Sequence, residues 1–553
     1  MLKAILVALV SVSLHAQVAT TFAQLNGTVR DANRGLVEGA AVSLRNADTG
    51  QVFQSFSDGR GLYVFPSLPP GTYKLSAEHP AFAAYARDGI ALQIGQTASL
   101  DIELSIEAKS ESITVSAQAP TVDGARTEVS HVVDSQQIEA LPISGRLFTD
   151  FALLTPGVAT GRTSLQSTIT EFEVTRVSFG GMRDLSNEVL VDGADTINTV
   201  TGSQRATPPQ ESVSEFRVVA NSFGADYGRA LGGVVNIVTK SGGNIPHGSL
   251  YEYFQNNTLD ARSLLQPSPD PDALRQNQFG ASLGGPLGGP LVKGRTFFFA
   301  NYEGQRRALS PTFPAQFLQS LSYYNAAKAA LGLSPENPNV LQTGNHDSGL
   351  FKLDHQFNDH NQLSIRFNTE SSRSLNLLVG NTVDGGGVAA PSDGHNAFIL
   401  DNSLVANLTS TRSANLVNTF LAQWARRSYD FPGVSGEPAL DIPNELMFGH
   451  NFGVFDAIGE TRGQFSNATS WVRGRHILRF GADLNVIGDN VTWPGFTPMR
   501  IVLPGGNCLI QFANYVNPAA NLSQIPAKPP ARCLQLSMAR RSFSGTLPSA
   551  AAR

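Results

Sequence analysis

Between Phe351 and Phe367 apolar and polar side chains trade places at nearly every step, and no other feature of this 553-residue chain restricts its fold so tightly. Phe351, Leu353 and Phe357 alternate with Lys352, Asp354 and Gln356. After the turn residues Asn358-Asp359-His360-Asn361, Leu363, Ile365 and Phe367 alternate with Gln362, Ser364, Arg366 and Asn368. Side chains two apart share one face of a strand, so each run predicts a strand with one apolar and one polar face, and the short turn predicts an antiparallel hairpin. His476, Leu478, Phe480, Ala482, Leu484 and Val486 set against Arg479, Asp483 and Asn485 repeat the pattern, and Phe420 and Trp424 are aromatics of the kind that belt a membrane interface. Strands of about ten residues with an apolar outside and a polar inside suit a membrane barrel with a wet interior. A soluble sandwich would bury the same apolar face, so one hairpin leaves both architectures open.

The start of the chain favours the membrane. Met1-Leu2-Lys3 precedes an apolar run from Ala4 to Leu14, which is shorter than the ~20 residues of a spanning helix and reads as a secretory signal. Thr21 and Ala23 fill the small-residue positions for cleavage after Ala23, with Ala16 a weaker site. No later stretch reaches ~18 uninterrupted apolar residues, so an exported chain of this kind is either soluble or a β-barrel. At 41% hydrophobic and 15% charged residues it is not a disordered chain. Lys plus Arg at 40 against Asp plus Glu at 45 gives a net charge of −5, with no basic block to follow a phosphate backbone, so nucleic acid is not an expected partner. The two cysteines, Cys508 and Cys533, exclude a Cys-ligated zinc site and leave room for one late disulfide.

From residue 24 to 106 short β-prone runs (GTVRD, AAVSLRN, QVFQSFS, GLYVF, GTYKLSAE, ASLDIELSI) are separated by turn clusters such as Ser57-Asp58-Gly59-Arg60-Gly61 and Pro69-Pro70-Gly71. That spacing predicts a β-sandwich of about seven strands. The stretch SDGRGLYVFPSLPPGTYKL with the opening GTVRD resembles the carboxypeptidase regulatory-like (transthyretin-like) domain. The resemblance implies a structural or docking role without peptidase chemistry, since His79 has no partner of a zinc pair nearby in sequence. Within the linker at 107–128, Glu111, Ser112, Ile113, Thr114, Val115, Ser116 and Ala117 form a short β-prone segment. Extended and unpaired, it is suited to add as a strand to another protein's sheet edge. Its position and letters resemble a TonB box, the coupling segment of outer-membrane receptors.

Between 129 and 245 the texture becomes mixed α and β. Asp134-Ser135 caps a predicted helix over Gln136 to Leu141 that Pro142 ends. LPISGRLFTDFALLTPGV, RVSFGGMRDLSNEVLVDGAD and EFRVVANSFGADYGRALGGVVNIVTKSGGN resemble successive segments of the plug of TonB-dependent receptors in the Oar-like branch. The match continues through HGSLYEYFQNNTLDAR, NQFGASLGGPL and TFFFANYEGQRR, which begin the barrel in that family. The resemblance covers roughly Gln24 to Val486. It implies a mainly β chain: signal peptide 1–23, β-sandwich 24–106, linker 107–128, α+β plug 129–245, partial transmembrane antiparallel β-barrel 246–505 and an atypical tail 506–553. It further implies the outer membrane as location, its lipid and a TonB-type energy-coupling protein as partners, and energy-coupled uptake of a large nutrient such as an oligosaccharide. No cofactor and no enzymatic step are implied. The alternative reading is a non-transporting surface or adhesion protein, and a secreted hydrolase is the remote third.

Three constellations carry less. Gly280-Ala281-Ser282-Leu283-Gly284 matches the nucleophile elbow, but Gly285-Pro286 follows where a helix should start. His346, Asp347, Asp354, His355, Asp359 and His360 resemble a metal cluster in composition, yet strand alternation separates them and puts two in the turn. Asp58, Asp192 and Asp195 lie beside or near Gly in turns without calcium-loop spacing. Arg183 and Asp192 flank the strand Glu188 to Val191; a salt link that fixes the plug in its lumen is the expected role, and a ligand-facing one the alternative. Finally, a 22-stranded barrel needs about 220 residues of strand before any loop. About ten strands are placed beyond Pro246, so the tail reads as an incomplete or frame-altered C-terminus.

Overall fold

The computed structural model describes residues 21–105, 113–115, 128–140, 148–160 and most of 177–522, apart from 260–272, 289–293, 379–387, 451–456, 493–498 and a few one- or two-residue gaps. Residues 1–20 of the expected signal peptide, Glu111, Ser112, Ser116, Ala117 and Cys533 lie outside the described residues, whereas Ala23 is described and begins the first strand.

Turn chemistry builds the first body. Its strands are β1 (Ala23–Asp31), β2 (Ala41–Asn46), β3 (Val52–Phe56), β4 (Leu62–Leu68), β5 (Gly71–Glu78), β6 (Tyr85–Leu92), β7 (Thr97–Ser99), β8 (Ile102–Leu104) and β9 (Ile113–Val115). One sheet runs β4-β1-β7 with β8 also on β1, and the other runs β3-β2-β5-β6-β9. Leu25, Val42, Leu44, Tyr63, Leu75 and Ile102 fill the space between them. The Asp58 carboxylate accepts the amides of Arg60 and Leu62, both at 2.9 Å, which lets Gly61 turn with φ +67°. The Tyr73 hydroxyl donates to the Pro69 carbonyl at 2.6 Å and pins the Pro-Pro-Gly corner. Eight strands, not seven, fill the sandwich proper. The extra one arises because Asp101 accepts both the amide and the hydroxyl of Thr28 (2.8 and 2.6 Å), which breaks ASLDIELSI into β7 and β8.

The second body follows the linker. It comprises β10 (Val129–Val133), α1 (Ser135–Ala140), a 3₁₀ turn (Phe148–Leu154), β11 (Val158–Thr160), β12 (Val177–Phe179), β13 (Glu188–Val191), β14 (Ala194–Asp195), β15 (Val213–Asn221) and β16 (Val234–Thr239). As the sequence predicts, Asp134 starts the helix, its Oδ1 accepting the Gln137 amide at 2.9 Å. The sheet order is β10-β15-β16-β13-β14, over a core of Phe151, Val191, Phe216, Val218 and Ile237. β13 and β14 form a two-residue hairpin on Asp192-Gly193, with φ +49° and +83°. Positive φ at both turn positions is what Asp-Gly supplies and what matches the strand twist.

The wall consists of β17 (His247–Asn256), β18 (Ala273–Pro286), β19 (Thr296–Ser310), β20 (Gln342–Asn358), β21 (Asn361–Leu377), then, past the short β22 (Val388–Ala389), β23 (His395–Ser413) and β24 (Leu416–Asp430), and, past β25 (Ala439–Ile442) and β26 (Leu446–Phe448), β27 (Ala457–Arg473) and β28 (His476–Thr492). The nine long strands pair in that order, each antiparallel to the next, and β17 and β28 end the order without meeting. The alternation read from the sequence holds in space. Phe351, Trp424 and Phe480 are 46%, 49% and 55% exposed, whereas Lys352, Arg366 and Arg427 on the other face are buried. An apolar outward face and a polar inward face are the condition for a wall in lipid. Among the described residues no helix is long and apolar enough to cross a membrane.

At the end opposite the tight turns, β22, β25, β26 and β29 (Arg500–Val502) form a small sheet of order β22-β26-β25-β29. Two helices, α2 (Ala315–Ala330) and α3 (Gly506–Val516), share a core with it through Phe317, Tyr324, Leu440, Phe448 and Leu509. The start of the tail is therefore a packed helix, and Cys508 on it is disulfide-bonded. Among the described residues the wall has nine strands against the about ten expected, and the short apolar runs of β25, β26 and β29 form this cap.

Candidate functional site: the interface of plug and wall

The turn Asp192-Gly193 carries the plug to the wall. Asp192 accepts the amide and hydroxyl of Thr239 (3.0 and 2.8 Å) on the plug side. On the wall side it pairs with Arg366 Nε at 3.2 Å and Lys352 Nζ at 3.8 Å, two residues directly opposite each other on β20 and β21. The Lys352 ammonium also donates to the Thr239 carbonyl at 3.0 Å, and Asn407 donates to the Asp192 carbonyl at 2.9 Å. Burial pushes the Asp192 carboxyl up, but Lys352, Arg366 and the two Thr239 bonds together outweigh it and hold the group below its ordinary value.

Beyond the turn the next residues of the plug engage β23, β24, β27 and β28. Asp195 pairs with Arg462 Nη1 at 2.6 Å and with Arg229 of the plug, while its amide donates to Gln464 Oε1 at 3.0 Å. Arg205 pairs with Glu460 at 2.7 Å and with Asp401 at 3.4 Å, all three buried. Thr199 donates its amide to Glu460 Oε2 at 2.8 Å, and Arg427 Nη1 donates to the Gln204 carbonyl at 2.9 Å. Cross-strand register explains the convergence: Glu370 faces Asp401, Asp401 faces Arg427, Arg427 faces Glu460 and Glu460 faces Asp489. One inward row thus holds four carboxylates and a single wall guanidinium, and Arg205 of the plug inserts between two of the acids. Removing one partner of so buried an ion pair costs about 3–5 kcal/mol, because the other charge is left unpaired away from water. Chemically the arrangement fastens residues 192–205 to the inner face of the wall by paired charges.

The sequence-derived candidates fall out as follows. Asp192 lies at this interface. Arg183 does not join it among the described residues: it is exposed, and the ion pairs of Asp192 run to Lys352 and Arg366 instead. Asp192 makes its ion pairs with Lys352 and Arg366 of the wall, toward which the tight turn aims it. Of the segment that resembles a TonB box, Ile113 to Val115 is described, and it is paired. It lies parallel on β6, with Tyr85 opposite Ile113, Ala86 opposite Thr114 and Arg87 opposite Val115. Ser282 sits in mid-strand on β18 and shares a 2.8 Å hydrogen bond with the Ser249 hydroxyl, so the elbow geometry is absent there. Among the described residues no His, Cys, Asp and Glu cluster is arranged to hold a metal ion. Arg205, Asp401, Arg427, Glu460 and Arg462 escape sequence reasoning, since their meeting depends on register accumulated over several hairpins; strand alternation gives only that such residues face inward.

The carboxypeptidase regulatory-like domain family matches residues 24–105, and the outer membrane beta barrel domain family matches residues 238–321 and 309–501. The TonB-dependent transporter Oar of Myxococcus xanthus is 29% identical over 256 residues, spanning 44% of this chain and 23% of that protein. Among solved structures, the outer membrane transporter YddB of Escherichia coli superposes with a TM-score of 0.47 at 14% identity, covering 65% of this chain and 48% of that one. The siderophore receptor PirA of Acinetobacter baumannii gives 0.45 at 16%, with the same two shares. The chain therefore spans about a quarter of the length of its curated relative and about half that of these solved structures. The chain thus carries a carboxypeptidase regulatory-like sandwich and an outer membrane β-barrel wall, inward-polar and outward-apolar, is similar over 44% of its length to the TonB-dependent transporter Oar, and has its place in the outer membrane.

Proposed function

We propose that the chain acts as an energy-coupled receptor that binds a large nutrient, an oligosaccharide or another, at the capped end of the wall and admits it by moving the plug. The observation that carries this reading is the character of the plug seat. Residues 192–205 meet the wall through Asp192, Asp195, Thr199 and Arg205 on Lys352, Arg366, Asp401, Glu460 and Arg462. A seat made of ion pairs and hydrogen bonds reforms with water when the plug shifts, whereas an apolar seat would expose surface at ~25 cal/mol per Å². The force enters through residues 111–117, which pair as an added strand with a TonB-type protein.

Binding of the chain to the periplasmic domain of a TonB-type coupling protein tests the reading. Ile113→Pro removes an amide donor from the segment and should weaken capture strongly, while Ser116→Ala should leave it unchanged. Equal capture of Ile113→Pro and wild type would reject the segment as the coupling site and move the balance to the surface-binding alternative.

A further inference from the structure

The outward face of the wall is apolar through its middle and ends, toward the cap, on a polar row. Register fixes that row across neighbouring strands. Phe254 on β17 stands opposite Asn277 on β18, Asn277 opposite Arg306 on β19, Arg306 opposite Asn345 on β20, Asn345 opposite Arg373 on β21, and Arg373 opposite Phe398 on β23. Two amides and two guanidiniums thus lie side by side between two aromatic rings. All four share the face of the exposed Phe279, Tyr302, Phe351 and Phe367, because each lies an even number of residues from one of these on its own strand.

The height of the row matches a lipid headgroup. Phe357, beside the tight turn that ends β20, is 52% exposed, and twelve residues separate it from Asn345. At ~3.3 Å per residue and a strand tilt of ~40° that is roughly 30 Å along the membrane normal, against an apolar band about 25 Å tall. With Phe357 at one interface, the row lies just past the hydrocarbon at the other. Its charges are unequally served. Arg306 donates from Nη2 to Asp347 Oδ1 at 2.7 Å and from Nη1 to the Gln305 and His346 carbonyls at 2.8 and 3.0 Å, which fixes its guanidinium. Arg373 has the Phe398 ring centroid 5.5 Å from its guanidinium carbon and, among the described residues, no carboxylate partner. Nearby on the same face, Arg275 lies one row above, Glu252 one row below and Arg426 two rows below, with Asp430 opposite Phe398. Four arginines therefore face Glu252, Asp347 and Asp430, and the unpaired charge is Arg373.

We propose that this row binds the phosphate of a membrane-lipid headgroup, with Arg373 as the principal ligand and Asn345 and Arg306 beside it. A guanidinium is a planar fork that matches two phosphate oxygens, and an amide adds a neutral donor between the two forks. Two strand spacings leave about 10 Å between Arg306 and Arg373 at the backbone, a gap that two arginine side chains close around one phosphate. A lipid fits better than a free anion, since its acyl chains would run down the apolar rows of Phe351, Phe367 and Leu404 directly below. The site is on the outside of the wall and is independent of what passes through it.

Fluorescence quenching in vesicles tests the site. The full chain with Phe398→Trp is placed in phosphatidylcholine vesicles that contain brominated acyl chains on either phosphatidic acid or phosphatidylcholine, and the signal is read as the difference from the unsubstituted chain. The new indole stands beside Arg373, so its quenching reports which headgroup occupies the row. Phosphatidic acid should be preferred at least about fivefold, the weight of one arginine at an anionic headgroup. Arg373→Gln should remove most of that preference, and Arg60→Gln on the sandwich should leave it whole. Asn345→Asp, an exposed change that sets an anion in the middle of the row, should abolish it independently. Equal quenching by brominated phosphatidylcholine in all variants would show that the wall stays in the bilayer. Equal quenching by the two lipids, or quenching by neither, would overturn the site, as would a preference that survives both Arg373→Gln and Asn345→Asp. Loss of the preference in millimolar inorganic phosphate would overturn the lipid as ligand in favour of a free anion.

Discussion

Asp192 sits where burial and two wall cations oppose each other, and the cations win. Its folded carboxyl therefore ionises below the ordinary value near 3.9, so its contribution is present above that value and is lost as pH falls through the lower folded one. Asp192→Asn should loosen the plug by about 3–5 kcal/mol, since Lys352 and Arg366 remain buried without their counter-charge. Protease access to the plug over a pH series reads both effects: the wild type should open only in strong acid, and the variant should be open already at neutral pH. Glu215 behaves in the opposite sense. Burial, against the Ile94 amide and aided by Asp134, pushes its carboxyl up to about 7. A carboxyl raised in the folded state stabilises fully below about pH 4.3, and that contribution fades as pH climbs through 7. The junction of sandwich and plug should accordingly weaken between about pH 4.3 and 7, and Glu215→Gln, which still accepts the Ile94 amide, should flatten the profile. A wild-type melting temperature independent of pH across that range would refute the assignment.

Among the elements, the hairpin β13–β14 concentrates the dependence of the seat on one glycine. Gly193 has φ +83°, and a Cβ there would meet Leu421 and Thr21 only at ordinary contact distances of 3.5 and 3.6 Å. Backbone strain of about 1–2 kcal/mol is thus the whole expected effect of Gly193→Ala, measurable as a lower denaturant midpoint for plug release. The hairpins of the wall are legible in the sequence for a local reason. Their faces differ at every step, so Phe351, Lys352, Ile365 and Arg366 declare their sides without any knowledge of the partner strand. The cap is not legible in that way: Ala439, Leu440 and Ile442 and then Leu446, Met447 and Phe448 are buried whichever way they point, so no alternation marks them off from the wall. Helix α2 did leave a signal, an alanine-rich run beginning directly after Pro314. The seat of β9 on β6 left none, because parallel pairing of residues far apart in sequence has no local signature.

For the molecule as a whole, the open order of the wall decides its behaviour in isolation. β17 and β28 do not pair with each other, and unpaired strand edges in hydrocarbon cost several kcal/mol per polar group. Refolded in detergent by itself, this chain should migrate without heat modifiability and lose the region from Pro246 onward to protease; a compact, resistant monomer that keeps its plug would show that the edges close. The row that runs from Glu370 through Asp401, Arg427 and Glu460 to Asp489 matters most once the plug has moved. With the plug withdrawn, Asp401 and Glu460 lose Arg205 while Lys352, Arg366 and Arg462 lose Asp192 and Asp195, so the uncovered inner face carries charges of both signs. The contact is thus written in charge, wall acids set aside for Arg205 and wall cations for Asp192 and Asp195, so that a misplaced fit would bring like charges together.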